Sequence, residues 1–353
     1  MLSLAIIVVI LALSFDFING FHDTANSIAT SVSTRVLSPR TAIFMAAVLN
    51  IAGALVSTRV AKTVSKEIIN DDMIKVVGGD KGVMYVVIAS LAAAIIWNLV
   101  TWYFGIPSSS SHALFGGMIG SSVAYIGSMA VLKWYEAPQA GHFFFQAKGI
   151  LFKIIIPLFT SPLIGFLLGF LVMKFLYLIL RKFTQHSVNT IFSKLQIASA
   201  GIMAFAHGGN DAQKSMGIIT LALIAADMNG GSKDVTLPVV IACALAMGIG
   251  TSLGGWRIIK TMGVNMIRLA PINGFAAETG AAIVIETMTR LGAPVSTTHI
   301  ISTSIMGVGA AKRLSAVRWA LARSILGAWV LTIPITAILG AVIVLGCKIV
   351  LGI

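Results

Sequence analysis

Charge is scarce in this sequence. Only 10% of its 353 residues are Asp, Glu, Lys or Arg, against about 25% in an ordinary soluble domain, while 57% are hydrophobic against roughly 45–50%. A water-soluble fold of this length needs far more polar side chains to cover its surface, and a mean hydropathy of +0.95 shows that they are missing. A soluble protein is excluded, and the composition implies an all-α, polytopic membrane protein. Acid is scarcer than base: 12 Asp and Glu stand against 25 Lys and Arg, a formal net charge of +13. In a soluble chain that excess would point to nucleic acid. Here the cations sit in short segments between apolar runs, so they read as lipid-headgroup contacts and topology signals, with no nucleic-acid partner. Cysteine is nearly absent: Cys243 and Cys347 lie in apolar stretches without a pairing pattern, so neither a disulfide framework nor a metal cluster is indicated.

Residues 1–15 lack a basic n-region and are followed by Asp16-Phe17-Ile18-Asn19-Gly20 with no small-residue cleavage site, so they read as a retained first helix. Apolar runs long enough to cross a ~30 Å hydrocarbon core lie near residues 2–19, 39–58, 83–104, 236–255, 272–291 and 317–350. Others are interrupted. Residues 107–128 open with Pro107 and four serines, 150–181 contain Pro157 and Pro162, and 191–229 carry His207-Gly208-Gly209-Asn210-Asp211 in mid-stretch. Interrupted membrane helices are what transporters place at the bilayer midplane. The most polar stretches, 57–81, 129–149 and 228–236, are too short for a soluble domain, which leaves one membrane domain.

The chain also repeats itself. The stretch Gly20 to Ser27 aligns with Gly208 to Ser215 through Asp23 and Asp211, and Arg59-Val60-Ala61-Lys62-Thr63 recurs as Arg257-Ile258-Ile259-Lys260-Thr261. Pro107-Ser108-Ser109-Ser110-Ser111-His112 recurs as Pro294-Val295-Ser296-Thr297-Thr298-His299, at nearly the same separation as the aspartates. Three matches in the same order imply a duplication. The halves span about 1–128 and 191–311, with a connecting segment at 129–190 and terminal helices at 312–353. Hydropathy does not fix their relative orientation; inverted repeats are the expectation by analogy with other transporters.

An ionised carboxylate in a membrane segment costs about 2.5–3.5 kcal/mol, so Asp16, Asp23, Asp211, Glu278 and Glu286 each call for a reason. Asp23 and Asp211 occupy equivalent positions. With the amides of Asn26 and Asn210 and carbonyls freed at a helix break by Gly20, Gly208 and Gly209, they form a hard-oxygen set suited to an alkali cation. The alternatives are a helix cap, an interhelical hydrogen bond or a relic of duplication. Ser108, Ser109, Ser110 and Ser111, and Ser296, Thr297 and Thr298, each follow a proline as at a helix N-terminus, with proline in the opening position. Two such N-termini inside a membrane offer unpaired N–H groups and positive dipole ends to one anion, unless the hydroxyls only cap helices. An anion beside two aspartates needs cations between them, and that requirement couples one ligand to the other. The pattern implies a symporter. Lys214, where the first repeat has Asn26, pairs with Asp211, Asp23 or Glu278 or touches the anion; together with Glu278, Gln213 and Thr24 it is a candidate for a secondary ion or coupling role. His22, His112, His207 and His299 border these motifs, and each is expected to hold a neighbouring helix by a hydrogen bond, with proton relay the alternative.

These paired signatures, with the stretch Thr251 to Ile258, resemble the inorganic phosphate transporters of the PiT type over nearly the whole chain. The resemblance implies about 12 membrane segments, including broken or re-entrant ones, built as two inverted repeats in the cell (inner) membrane. It implies import of phosphate with Na⁺ or H⁺, with no cofactor and no enzymatic activity. The neutral oxygens of the aspartate motifs favour Na⁺. His22 stands where the family usually has Asn, and Asn50 where animal members commonly carry Glu, with Glu278 expected to match the later counterpart of that residue. The short central segment fits a compact prokaryotic member. Sulfate in place of phosphate, a passive channel and an intramembrane aspartyl protease are the rival readings, and a homodimer is left open.

Overall fold

A computed structural model describes residues 1–138, 147–232 and 234–351. Among the described residues there are twelve α-helices: α1 (Leu2–Ser33), α2 (Pro39–Ala54), α3 (Arg59–Lys66), α4 (Asp71–Phe104), α5 (Ser110–Ile126), α6 (Ile156–Leu180), α7 (Gln185–Ala225), α8 (Leu237–Leu253), α9 (Trp256–Lys260), α10 (Pro271–Arg290), α11 (Thr297–Lys312) and α12 (Trp319–Leu351). Among the described residues, extended pairing consists of two isolated bridges, Ile69 with Leu132 and Glu136 with Lys148. Of the polar stretch 129–149, residues 139–146 lie outside the described residues. Among the described residues, four helices are long and apolar enough to cross a membrane, and up to six spans result if each bent pair counts as one: α2 with α3, bent by 66°, and α8 with its continuation through α9, bent by 63°. At 1.5 Å per residue, α5 and α11 reach only about 25 Å, too short to cross alone.

The packing comes in matched pairs. Helix α1 lies against α8 as α7 lies against α2, and α12 covers α5 as α6 covers α11. Glycines set the first pair of crossings. A Cβ on Gly20 would stand 2.4 Å from the Met247 carbonyl oxygen and one on Gly250 2.0 Å from that of Phe17; on α7 and α2, Gly208 and Gly53 meet Asn50 and Phe205 at 2.2 and 2.0 Å. Small residues let backbones approach closely where lipid supplies no hydrophobic drive for helix association. The outer helices α6 and α12 present Phe159, Leu163, Phe175, Val330, Ile338 and Val342 outward, as lipid-facing helices do.

Two expectations are corrected here. The glycine-containing aspartate motifs do not break their helices: α1 runs unbroken for 32 residues through Asp23 and α7 for 41 residues through Asp211. Their glycines serve the crossings instead, so these motifs free no carbonyls for a cation. Pro157 and Pro162 do not interrupt 150–181 either; α6 continues through Pro162, preceded by a π-turn at Leu151–Ile155. The interruption expected at Pro107 is present, between α4 and α5, and a matching one lies between α10 and α11. Here Gly105 and Gly292 take the left-handed conformation, with φ of 67° and 68°, and turn the chain into a short extended loop.

Candidate anion and cation site

Both loops end in the same cap. Ser109 accepts a hydrogen bond from the His112 amide at 3.1 Å at the start of α5, and Ser296 accepts one from the His299 amide at 3.2 Å at the start of α11. Pro107 and Pro294 therefore precede the cap within the extended loop and do not occupy the opening helical position; Ser110 and Thr297 do. A cap of this kind satisfies the third amide and leaves the first two, those of Ser110 and Ser111 and of Thr297 and Thr298, without an intrahelical partner. The repeated Arg-x-x-x-Thr motif holds both turns from outside. The Arg59 guanidinium donates to the Arg290 carbonyl at 2.8 Å, and Arg257 donates to that of Tyr103. Thr261 donates to the Gly105 carbonyl at 3.0 Å, and Thr63 lies beside Gly292. A cation on the last carbonyls of α4 and α10 opposes the negative ends of their dipoles.

The two tips meet. The Ser111 hydroxyl donates to the Val295 carbonyl at 3.0 Å, and the rings of His112 and His299 lie edge to face, 4.6 Å apart. Trp329 of α12 stacks on His299 at 3.7 Å and donates its indole N–H to the Pro107 carbonyl at 2.9 Å, clamping both loops from behind. His112 and His299 thus hold their neighbours by ring contact, not by the expected hydrogen bond. Trp329 gave no signal in the sequence, because it lies outside the repeated motifs.

The aspartates face these tips from α1 and α7. Asp23 Oδ2 accepts from Ser110 at 3.2 Å and from Thr298 at 3.4 Å, and its Oδ1 lies 2.5 Å from His22 Nδ1. Asp211 Oδ2 accepts from Thr297 at 3.2 Å and Asn19 at 3.5 Å, and His207 Nε2 lies 3.4 Å away. One ligand atom each from Asp23, His207 and Asp211 falls within a 4.8 Å cluster, and all three residues are buried. Two like charges at ~5 Å repel by about 3 kcal/mol at an effective dielectric near 20, so the cluster calls for positive charge. Lys214 supplies some: its ammonium donates to Asp211 Oδ1 at 2.5 Å, to the Ser111 hydroxyl at 2.5 Å and to the Val295 carbonyl at 3.1 Å. Of the partners open to it from the sequence, Lys214 takes Asp211 and not Asp23 or Glu278.

Asn26 donates to the Thr297 and Thr298 hydroxyls at 3.2 and 2.9 Å, while its buried Oδ1 has no partner. Asn210 is turned to the loop before α11: it donates to Thr289 at 2.8 Å and Ala293 at 3.3 Å and accepts from the Val295 amide. Ser108 donates to Thr101 at 2.8 Å, the residue that His22 Nε2 meets at 3.1 Å. Thr101 and Thr289 stand at the same separation along the chain as Asp23 and Asp211, and that shared spacing was the sequence signal that could have found them.

The remaining candidates lie off the centre. Thr24 donates to the Gly20 carbonyl at 2.6 Å and to that of Thr251 at 3.3 Å, tying α1 to α8. Gln213 accepts from the Val60 amide at 2.8 Å and from that of Ala61, capping α3. Glu278 on α10 forms a separate buried cluster, accepting from Thr30, Ser199 and Gln196. Asn50 on α2 donates to Thr251 at 2.9 Å and lies 3.1 Å from His207 Nδ1. Asp16 accepts from Ser215 at 2.6 Å, and the half-exposed Glu286 pairs with Arg290 at 2.7 Å.

Residues 19–340 match the model of the phosphate transporter family. The chain is 47% identical to a Bacillus subtilis protein named "probable low-affinity inorganic phosphate transporter", over 97% of this chain and 96% of that one. It is 46% identical to a protein of the same name from Rhizobium meliloti, over 94% and 92% of the two chains. A solved structure described as "the sodium-dependent phosphate transporter" superposes with a TM-score of 0.80 at 22% identity, covering 98% of this chain and 99% of that one, and so shares the fold. Two helix N-termini facing buried aspartates suit an anion carried with a cation, and the chain belongs to the phosphate transporter family, membrane proteins that are transporters and not enzymes.

Proposed function

We propose that this protein imports inorganic phosphate across the cell (inner) membrane by symport with Na⁺, holding the anion between the N-termini of α5 and α11. The anion's ligands are the hydroxyls of Ser110, Ser111, Thr297 and Thr298 and the free amides beside them, with Ser108, Ser109 and Ser296 shaping and capping the loops. The cation's ligands are the Asp23 carboxylate and the unpartnered oxygen of Asn26. The observation that carries this reading is that Asp23 accepts hydroxyl bonds from both tips, from Ser110 and from Thr298.

That contact explains coupling. A carboxylate resting on the anion's hydroxyls competes with the anion for them. A cation drawn to Asp23 weakens those bonds and screens the charge, so phosphate binds well only when the cation is present, and by linkage the reverse holds. The matched packing of α1–α6 and α7–α12 supports two inverted repeats of six elements each. On that reading the segment 129–190 contributes α6 to the first half, and 312–353 contributes α12 to the second. Alternating access then comes from one half rocking against the other. The Glu278 cluster, away from the tips, fits a coupling role, because it joins α10 to α1 through Thr30 and to α7 through Ser199 and Gln196.

Phosphate uptake into proteoliposomes under an inward Na⁺ gradient, compared with an inward H⁺ gradient and with excess sulfate, tests the proposal. Concentrative uptake that needs Na⁺ and ignores sulfate is expected. Uptake driven only by protons would remove the Na⁺ assignment, and equal competition by sulfate would remove the assignment of the anion.

A further inference from the structure

The two halves of the site are not equally finished. On the first half, Asp23 meets His22, Ser110 and Thr298 and neither a lysine nor an arginine, and the buried Oδ1 of Asn26 has no hydrogen-bond partner. On the second half, Asn26 is replaced at the repeat-equivalent position by Lys214, which is fully buried and lies on Asp211 at 2.5 Å. An ammonium has three donors and no acceptor. Here all three are used, on a carboxylate, a hydroxyl and a backbone carbonyl. Those are the oxygen types that an alkali cation takes as ligands.

We propose that the Lys214 ammonium stands in for a second transported cation, so that this protein carries one coupling cation per phosphate, bound on the Asp23 side. The inference rests on the reading of Asp23 and Asn26 as a cation site. Charge supports it. Counting the two histidines as neutral, Asp23 and Asp211 bring two negative charges and Lys214 one fixed positive charge, so a single mobile cation neutralises the acidic cluster. With an amide at 214, as at Asn26, two would be needed. A tethered ammonium also spares the transporter the loss of translational freedom that binding a second free ion entails. It ties α7 to both tips at once, through Ser111 on α5 and Val295 before α11, in the way Asn26 ties α1 to Thr297 and Thr298.

The test is the flux ratio of radiolabelled sodium to radiolabelled phosphate in proteoliposomes holding the full-length protein. The wild type is expected to move one Na⁺ per phosphate, and K214N, which restores the amide, to move two and to show a steeper dependence of uptake on Na⁺ concentration. A wild-type ratio of two overturns the proposal, as does a folded, transporting K214N whose ratio stays at one. A wild type that moves phosphate with no sodium overturns the proposal together with the Na⁺ assignment at Asp23 on which it rests. Because the wild-type ratio is decisive alone, a K214N that fails to fold leaves the proposal open to refutation.

Discussion

Asp23 accepts bonds from Ser110 and Thr298 at 3.2 and 3.4 Å, which puts the carboxylate where a bound anion would draw on the same hydroxyls. Replacing it by Asn keeps the shape and removes the charge on which the proposed cation site depends. At ~5 Å a unit charge is worth about 3 kcal/mol, so D23N is expected to lower Na⁺-driven uptake on the order of a hundredfold, with the yield of folded protein on gel filtration unchanged. Near-normal uptake by D23N would remove Asp23 from the mechanism. The sequence made this residue legible because a membrane carboxylate that recurs at the matching position of a second repeat has few bland explanations. It did not reveal that Asn210 and Gln213 spend their amides on the backbone of the α11 loop and of α3. An amide beside an aspartate looks the same in sequence whether it faces a ligand or caps a loop.

Helices α1 and α7 owe their crossings to glycine. The Gly208 Cβ position lies 2.2 Å from the Asn50 carbonyl oxygen, so any side chain there pushes α7 off α2. G208A is expected to destabilise the protein by about 1–3 kcal/mol, the usual cost of overpacking, and to lower its thermal unfolding midpoint in detergent. G327A, on the outer helix α12 with nothing within 4 Å of the new methyl group, should leave that midpoint unchanged or slightly raised. Equal effects from the two substitutions would contradict the packing described for α2 and α7. The same glycines explain why the sequence predicted breaks in α1 and α7. Glycine permits both a kink and a close crossing, and only the neighbouring helix decides between them. The true breaks, at Gly105 and Gly292, were legible through the serine- and threonine-rich motifs that follow them.

For the molecule as a whole, every hydroxyl, amide and carboxylate side chain assigned to the two ligands is buried, so the site is closed in this conformation. A cavity of about 270 Å³ is lined by Ser57, Arg59, Gly209, Glu286, Thr289 and Arg290, among others, and Thr289 is the hydrogen-bond partner of Asn210. If the two halves rock, this cavity changes depth as ligands bind. A cysteine placed at Ser57, with Cys347 replaced by Ser and Cys243 left buried, should react with a water-soluble thiol reagent. Phosphate and Na⁺ together are expected to change that rate severalfold, and neither alone to do so. A rate indifferent to both ligands would rule out movement at this cavity. The composition announced a membrane protein, and the repeated motifs announced the matched starts of α5 and α11 and the paired aspartates of α1 and α7. The exchange of partners, in which α12 covers α5 and α6 covers α11, was not legible, because lipid-facing helices carry apolar residues without a pattern that names their neighbours.

The central claim is that the tips of α5 and α11 hold the phosphate, and equilibrium binding of radiolabelled phosphate to the purified protein in Na⁺ tests it most directly. Removing one hydrogen bond to a charged group costs about 1.5–3 kcal/mol, so S110A and T297A should each weaken binding roughly ten- to a hundredfold, and the double variant should bind no measurable phosphate. Wild-type affinity in a folded S110A/T297A variant would contradict the account.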